Sequence, residues 1–189
     1  MSSPTSLIEA STALSEQVLE LIDSGVSTPI ILIDGRAGSG KSTLAALLQN
    51  ELFREGDSLP RLIHMDDLYE GWDGLQAGVD YLQRMILNPI VGMRKAEWQE
   101  FDWAKSERGR WREFEGGTPL IIEGCGSISR LAAEAASIKI WVEADSEVRY
   151  QRWLEREGND EHFGRWAAQE VEFYSRERST ELADLTVTN

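Results

Sequence analysis

The sequence predicts an α/β fold of three layers, in which helices cover both faces of a parallel sheet. Short apolar runs typical of buried parallel strands recur along the chain, and segments with helical periodicity separate them. The first apolar run, residues 30–34, leads through a glycine-rich turn into an apolar-rich segment typical of a helix. The length of 189 residues predicts one domain with a small lid, and the hydrophobic share of 41% suffices for a core.

The predicted elements follow from apolar spacing and from the residues that interrupt it. A first helix over residues 7–24 has a leucine- and valine-bearing face and stops at Gly25. Asn88 and Pro89 are expected to end a later helix, because the residue before proline disfavours helical geometry. Strands are predicted at 30–34, 61–65, 120–124, 138–143 and 182–188, and helices at 7–24, 41–54, 76–87, 128–136, 146–160 and 160–179.

Composition limits the partners and the compartment. A formal net charge of -14 argues against nucleic acid or an anionic membrane as the main partner. No apolar run is long enough for a membrane span, and residues 1–6 lack the basic start of a signal peptide. Cys125 is the only cysteine, so no internal disulfide is expected. Together these features favour the cytoplasm, whereas the oligomeric state stays open.

The turn after the first strand matches a phosphate-binding loop. Residues 35–42 fit G-x-x-x-x-G-K-[ST], in which glycines let successive backbone N–H groups point into one concavity. The following helix aims its positive N-terminus at the same anion. Lys41 would supply charge to the phosphates of ATP, and the Ser42 hydroxyl would ligate Mg²⁺. The residues expected to contact the nucleotide are Gly35, Arg36, Ala37, Gly38, Ser39, Gly40, Lys41, Ser42 and Thr43.

Carboxylates follow two other predicted strands. Asp66 and Asp67 come directly after residues 61–65, at the edge where ligands bind in open α/β sheets. One of them would accept a hydroxyl proton or hold Mg²⁺, unless the pair is only a solvated turn or a helix cap. Glu123 ends the strand 120–124 and would reach the Mg²⁺ shell. His64 is interpreted as a structural strand residue.

Aromatic and charged residues alternate between residues 96 and 116, which predicts a β-hairpin with Arg108-Gly109-Arg110 at its turn. Trp98, Phe101 and Trp103 would stack on a flat substrate or, alternatively, form a small core of their own. A basic spot in the same segment would bind a substrate phosphate or pair with neighbouring glutamates; its members are Arg108, Arg110 and Arg112.

Three arginines share one face of the helix that begins at Ser146. Arg149, Arg152 and Arg156 are three and four residues apart, the spacing of neighbours on a helix surface. Such a row would close over a transferring phosphate as a lid. The interleaved glutamates leave a salt-bridged surface helix as the alternative.

The order of these features resembles the uridine kinase and phosphoribulokinase branch of P-loop kinases, from about residue 29 onward. The matching stretches are IDGRAGSGKSTLA at 33–45, DDLY at 66–69, LIIEG at 120–124 and VEADSEVRYQRWLERE at 142–157. A partial match, FDWAKSER at 101–108, resembles the nucleoside segment Y-D-F-x-x-H-S-R of that branch, with Phe101 and Ser106 in place of its Tyr and His. The resemblance implies a P-loop NTPase fold with sheet order 2-3-1-4-5 and a small Arg-bearing lid.

The resemblance also implies that the chain transfers the γ-phosphate of ATP, with Mg²⁺, to a hydroxyl of a small molecule. Implied catalytic residues are Asp66 as the base, Lys41, Arg149 and Arg152, and implied Mg²⁺ ligands are Ser42 and Glu123. Candidate acceptor-binding residues are Tyr69, Asp73, Asp80, Phe101, Asp102 and Arg108. The predicted domain, residues 1–189, comprises an N-terminal helix (7–24), a core (29–145), a substrate hairpin (about 96–116) and a lid (about 146–160).

A different class of protein remains open at this point. The chain has neither the N-K-x-D string of a guanine reader nor an L-S-G-G-Q-like signature of a transporter ATPase. A non-catalytic ATP-binding protein or an acceptor-independent ATPase stays as the alternative. The acceptor itself, whether nucleoside, sugar or vitamin, is not specified by these motifs.

Overall fold

The computed structural model describes residues 6–56 and 59–189. A parallel sheet of five strands runs through the described residues in the order β2-β5-β1-β6-β7, and β3 pairs with β4 in a separate antiparallel hairpin. Counted along the chain, the five sheet strands stand in the predicted order 2-3-1-4-5. The strands are β1 (Ile30–Asp34), β2 (Arg61–His64), β3 (Ala96–Asp102), β4 (Glu107–Phe114), β5 (Leu120–Glu123), β6 (Ile138–Glu143) and β7 (Leu185–Thr188).

Helices pack on both faces of this sheet. They are α1 (Leu7–Asp23), α2 (Lys41–Glu55), α3 (Leu75–Leu82), α4 (Asn88–Val91), α5 (Arg130–Ala135), α6 (Ser146–Glu157), α7 (Phe163–Glu177) and α8 (Ser179–Leu182). Successive side chains of β1 point to opposite faces of the sheet, as the pleat of a strand requires. Ile31 and Ile33 pack in a hydrophobic cluster with α1 and α2, whereas Leu32 packs in a second cluster with α3 and α7. The predicted three-layer α/β fold is therefore confirmed. No helix of the described residues has the length and apolarity that crossing a membrane requires.

Two local predictions are wrong. The hairpin turns at residues 103–106, and Arg108, Gly109 and Arg110 lie within β4. Asp102 explains the difference, since one of its carboxylate oxygens accepts hydrogen bonds from the backbone N–H of Ala104 and of Lys105, both at 3.1 Å. This Asx-type turn defines the end of the hairpin.

The second wrong boundary is the end of the helix at Asn88-Pro89. The helical path continues through a π-helical turn at Gln83–Leu87 into α4. Pro89 lies near the start of α4 and has no backbone N–H to donate to the preceding turn, and the helical path passes it by way of the π-helical turn. The chain leaves the helix at Gly92 instead.

A buried polar network joins the end of β1 to the loop after β5 and to α7. Asp34 is fully buried, and its two oxygens accept hydrogen bonds from the backbone N–H groups of Gly35, Gly126 and Ile128. The Tyr174 hydroxyl donates a fourth hydrogen bond at 2.7 Å. Each donor compensates part of the cost of burying the carboxylate. This network holds the start of the glycine-rich loop against its neighbours.

Tyr174→Phe is expected to lower the free energy of unfolding by about 1–3 kcal/mol, because it leaves a buried carboxylate with one donor fewer. Urea-induced unfolding measures the change. Tyr150→Phe is the matched control, since the Tyr150 hydroxyl bonds an exposed carboxylate of Asp160, and its effect should stay within about 0.5 kcal/mol. Equal losses in the two variants would contradict the assigned role of the Tyr174 hydroxyl.

Candidate active site

The glycine-rich loop between β1 and α2 has the backbone of an anion cradle. Gly35, Gly38 and Gly40 have φ values of 150°, 79° and 104°, which side-chain-bearing residues rarely adopt. A Cβ atom at Gly38 would also collide with the carbonyl oxygen of Arg149. The first backbone N–H groups of α2, at Lys41 to Thr43, have no intrahelical acceptor and remain directed toward the loop. A phosphate group fits this arrangement without further donors.

Lys41 is the buried cation of the loop. Its side chain is 7% exposed, and Nζ donates a hydrogen bond to the carbonyl oxygen of Arg36 at 3.0 Å. Burial disfavours the charged form, but the acidic groups around it, among them Glu123 and Glu170, outweigh that cost and raise the pKa of Lys41. The ammonium group is therefore charged at neutral pH, as a phosphate contact requires.

Ser42 and Glu123 meet where the loop helix faces the end of β5. Because β5 lies beside β1 in the sheet, the Glu123 carboxylate reaches the Ser42 hydroxyl, which donates to Oε1 at 2.9 Å. Burial opposes ionisation of Glu123, but the hydrogen bond from His64 and the charge of Lys41 outweigh it. The pKa of Glu123 consequently lies below its ordinary value. The result is a pair of oxygen ligands at the loop, an ionised carboxylate and the hydroxyl that donates to it.

His64 contacts this pair, although its sequence position indicated only a structural strand residue. His64 is aligned with Glu123 across the parallel β2–β5 pair, and its Nδ1 donates to Glu123 Oε1 at 2.6 Å. That hydrogen bond raises the pKa of His64 above its usual range. The register of two neighbouring strands thus brings a histidine to the candidate site.

A cavity of about 350 Å³ opens beside the loop. Its polar and charged side chains come from the loop helix, the turn after β2, the end of β5 and the end of α6, and its aromatic side chains come from four separate segments. The lining residues are Ala37, Lys41, Ser42, Asp66, Asp67, Tyr69, Trp72, Trp103, Glu123, Gly124, Cys125, Trp153, Arg156, Glu157 and Trp166.

Asp66 and Asp67 both line this cavity from a single 3₁₀ turn at the end of β2. Burial first, and the nearby charge of Glu123 second, raise the pKa of Asp66 above its ordinary value. Burial and Glu100 raise the pKa of Asp67 in the same direction. The indole N–H of Trp103 donates to the main-chain oxygen of Asp66 at 2.9 Å, so that the hairpin tip holds the turn in place. A carboxyl group with a raised pKa is suited to proton transfer.

The aromatic side of the cavity is a cluster of stacked rings. Trp72 lies 5.0 Å from Trp103 and 5.6 Å from Trp153, centroid to centroid. Trp166 contacts both Trp72 and the Tyr69 ring, the latter at 4.8 Å in an edge-on arrangement. Of the hairpin aromatics singled out in the sequence, Trp103 is in this wall. Trp98 is instead buried in the core, 2% exposed.

The three arginines on one face of α6 divide between the loop and the cavity. Arg149 and Arg152 donate hydrogen bonds to the loop carbonyl oxygens of Ala37 and Gly38, at 3.4 and 3.1 Å. Arg156, one turn further along α6, lines the cavity and lies over the Trp153 ring. The structure therefore brings Arg149 and Arg152 to the phosphate-binding loop, while Arg156 faces the enclosed space.

The candidate acceptor-binding residues lie in different surroundings. Tyr69 lines the cavity, and its hydroxyl donates to the Cys125 carbonyl oxygen at 2.6 Å. Asp73 pairs with Arg165, and Asp80 accepts a hydrogen bond from Gln76, both on exposed surface away from the cavity lining.

The candidate acceptor-binding residues of the hairpin, Phe101, Asp102 and Arg108, make structural contacts. Phe101 stands edge-on to Trp103 at 5.5 Å, and Asp102 forms the turn described above. Arg108 pairs with Glu70, donates to the carbonyl oxygen of Leu68 and lies 3.8 Å from the centre of the Tyr81 ring. These contacts tie the hairpin to the segment that follows Asp66. An acceptor contact for these residues stays a prediction.

Glu170 of α7 contacts the loop directly and was not singled out in the sequence. It is 1% exposed, and its Oε1 accepts hydrogen bonds from the backbone N–H of Ala37 at 2.7 Å and from the Cys125 thiol at 3.3 Å. Burial raises the pKa of Cys125 far above its ordinary value, so the thiol is protonated and donates. Glu170 thereby holds the loop at Ala37.

The residues at the loop fit a nucleotide with its magnesium ion. A Cβ at Gly35 or Gly38 would collide with the carbonyl oxygen of Val142 or Arg149, and the buried Ser39 hydroxyl has no hydrogen-bond partner among the described residues. The ionised Glu123 oxygen and the Ser42 hydroxyl form a hard oxygen donor set of the kind that Mg²⁺ prefers.

Comparisons with known proteins agree with this fold. A family model described as an AAA domain matches residues 31–172. Several solved structures are similar to this chain over nearly their whole length, and two of them serve as examples. One, described as a possible uridine kinase from Bacillus stearothermophilus, has a TM-score of 0.69 at 18% identity, with 94% of this chain and 96% of that chain covered.

The other, described as a fructose transport system kinase from Silicibacter sp. TM1040, has a TM-score of 0.59 at 22% identity, with 97% of this chain and 99% of that chain covered. A search of curated proteins finds no match. At the level of the fold, these likenesses confirm the predicted resemblance to uridine kinase-like P-loop kinases.

Proposed function

Given that this chain belongs to the AAA domain family, we propose from the residues of its cavity that it is an ATP-dependent phosphotransferase that phosphorylates a hydroxyl group of a small molecule. One observation carries the proposal. A single cavity contains the loop cation Lys41 and, beside it, the carboxyl group of Asp66 with a raised pKa. Phosphate-binding charge and a proton acceptor in one enclosed space are the two elements that transfer to an alcohol requires.

The loop amides and Lys41 would hold the phosphates of ATP, and Ser42 and Glu123 would hold Mg²⁺. Bound there, the ion would neutralise charge on the phosphate oxygens. Asp66 would orient the acceptor hydroxyl and take its proton as the oxygen forms a bond to the γ-phosphorus. The bond from that phosphorus to the β-phosphate oxygen breaks in the same transfer, and ADP leaves. Arg149 and Arg152, which donate to the loop carbonyl oxygens of Ala37 and Gly38, would offset charge on the transferring group.

ATP consumption in the presence and absence of added alcohols tests the proposal. A panel of nucleosides, sugars and hydroxylated vitamins should contain an acceptor that stimulates ADP release and appears as its phosphate ester by mass spectrometry. ATP consumption that no acceptor changes would instead favour the acceptor-independent ATPase. Tight ATP binding without any turnover would favour a non-catalytic nucleotide-binding protein.

Uridine and cytidine are expected to be poor acceptors. The hairpin carries Phe101 and Ser106 where the resembling branch has Tyr and His, and Ser106 lies in the turn that Asp102 forms. Each lost discriminating hydrogen bond is worth roughly 1–3 kcal/mol, so two losses reduce selectivity on the order of 10²-fold or more. Steady-state kinetics check this. A kcat/KM near 10⁵ M⁻¹s⁻¹ for uridine or cytidine, roughly the range of enzymes on their own substrates, would refute the expectation.

His64→Ala is expected to raise the Mg²⁺ concentration needed for half-maximal turnover by about 10-fold or more, the usual effect of removing a group that orients a metal ligand. The reason is the 2.6 Å hydrogen bond from His64 to Glu123. Magnesium titrations at saturating ATP measure it. His64→Asn, whose amide can donate from nearly the Nδ1 position, should retain most of the affinity. Equal losses in the two variants would exclude orientation of Glu123 as the cause.

A further inference from the structure

The acceptor side of the cavity is built from aromatic rings. Tyr69, Trp72, Trp103, Trp153 and Trp166 supply its wall, and they come from the segment after β2, the hairpin tip, α6 and α7. Several of these rings contact one another at centroid distances between 4.8 and 6.3 Å. Indole faces bind flat rings by stacking and bind cations through the ring quadrupole.

One ring of this wall already holds a cation. The guanidinium carbon of Arg156 lies 5.3 Å from the centre of the Trp153 ring. The same guanidinium group pairs with Glu157, Nε to Oε1 at 2.7 Å. Arg156 is therefore compensated by a neighbouring carboxylate and does not provide an unpaired positive charge for an anionic acceptor.

The charges that line the cavity favour a cation. Four carboxylates, those of Asp66, Asp67, Glu123 and Glu157, face two cations, Lys41 and Arg156. In the proposed function Lys41 binds the phosphates of ATP and Glu123 binds Mg²⁺, and Arg156 is paired with Glu157. What remains beside the aromatic wall is the carboxylate pair Asp66 and Asp67. A second phosphate group in this space would face these two carboxylates, and the cations that line the space in the described part of the chain are Lys41 and the paired Arg156.

We infer that the cavity binds a planar, positively charged ring that bears a hydroxyl group and no phosphate, and that this is the class of the phosphate acceptor. That this ring is the phosphate acceptor rests on the proposed function. The preference of the cavity for a cationic ring rests instead on the aromatic wall and the carboxylates. A quaternised nitrogen heterocycle with a hydroxymethyl or comparable alcohol has the required chemistry. Such a ring stacks on indole, and its charge is attracted both by the ring faces and by Asp67.

Two ligands of the same shape and different charge test the inference on the wild-type chain. The cation is meta-(hydroxymethyl)-N-methylpyridinium, and its neutral isostere is meta-methylbenzyl alcohol. Calorimetric titration in the presence of a non-hydrolysable ATP analogue and Mg²⁺ measures both affinities. The cation is expected to bind about 10-fold or more tightly than the isostere. Equal affinities, or tighter binding of ribose phosphate than of either ligand, would overturn the inference.

Matched tryptophan variants localise the site. Trp103→Leu removes a ring from the wall and should weaken binding of the pyridinium about 10-fold, whereas Trp103→Phe, which keeps a ring, should retain much of it. Trp111→Leu is the control, because Trp111 lies on the same hairpin, is 61% exposed and is not among the residues that line the cavity. Equal effects of Trp103→Leu and Trp111→Leu would place the ligand elsewhere and overturn the inference.

Turnover separates this inference from the proposed function. Selective binding of the pyridinium without phosphate transfer to any alcohol would support the cationic-ring site and contradict the phosphotransferase. Faster phosphorylation of neutral sugars than of hydroxylated cationic rings would keep the phosphotransferase and overturn the acceptor class.

Discussion

Lys41→Ala is expected to abolish phosphoryl transfer, with a loss of at least about 10³-fold in turnover, and to weaken ATP binding. The removed ammonium group is 7% exposed and is the cation of the cavity wall that lies in the phosphate-binding loop. Removing one preorganised charge from a site of this kind costs on the order of 10²–10³-fold. Because Lys41 would contact the phosphates in the bound nucleotide as well as in the transition state, the loss in kcat/KM for ATP should exceed the loss in kcat. ADP release and calorimetric ATP binding measure the two effects.

Lys95→Ala is the control for this substitution. Lys95 lies at the base of the hairpin, pairs with Glu97 and Glu113, and is exposed. Its replacement removes the same charge from the protein and should leave turnover unchanged. Near wild-type activity of Lys41→Ala would remove the phosphotransferase proposal, whatever the behaviour of the control.

The loop was accessible from the sequence because local rules govern it, whereas the sheet order followed from the resemblance to the uridine kinase and phosphoribulokinase branch. A strand that is apolar throughout, glycines at the turn and a following helix leave few alternative structures for residues 30–55. The carboxylate at the end of β5 was also accessible, since it follows directly after an apolar run. Because Glu123 is at the carboxyl end of β5, it lies at the edge of the sheet where Ser42 also lies.

His64 and the aromatic wall were not accessible, because they depend on contacts between distant segments. His64 reaches Glu123 only through the register of β2 against β5, which the composition of either strand does not specify. Trp72, Trp153 and Trp166 lie in three separate segments, and only the packing of α6 and α7 over the sheet edge brings them together. A tryptophan in a helix is as compatible with packing in the hydrophobic core as with the wall of a binding cavity.

Glu170 did carry a signal in the sequence. Trp166, Phe173 and Tyr174 are spaced at helical intervals on one face of α7, and Glu170 falls on that face between them. A carboxylate on an otherwise apolar stripe needs a buried partner. The partner is the backbone of the phosphate-binding loop, which no pattern within α7 indicates. Such a signal predicts a buried polar contact without naming what it contacts.

Asp66→Asn is expected to reduce kcat on the order of 10²-fold or more, the usual scale for loss of a general base, while ATP affinity stays nearly intact. Asn has the shape of Asp and keeps the 3₁₀ turn, whose main-chain oxygen accepts a hydrogen bond from Trp103. The variant therefore removes the proton acceptor without removing the turn. Steady-state kinetics with the identified acceptor, together with calorimetric ATP titration, measure both quantities.

Asp67→Asn is the matched control, because Asp67 lies in the same turn and lines the same cavity, yet should affect kcat much less. A larger loss for Asp67→Asn would transfer the role of base to that residue. The pH profile supplies a second check. Burial and the charge of Glu123 raise the pKa of Asp66 above its ordinary value, and only the ionised form can take a proton. Activity should consequently fall as the pH drops through this raised pKa, and this acid limb of kcat/KM should disappear in Asp66→Asn.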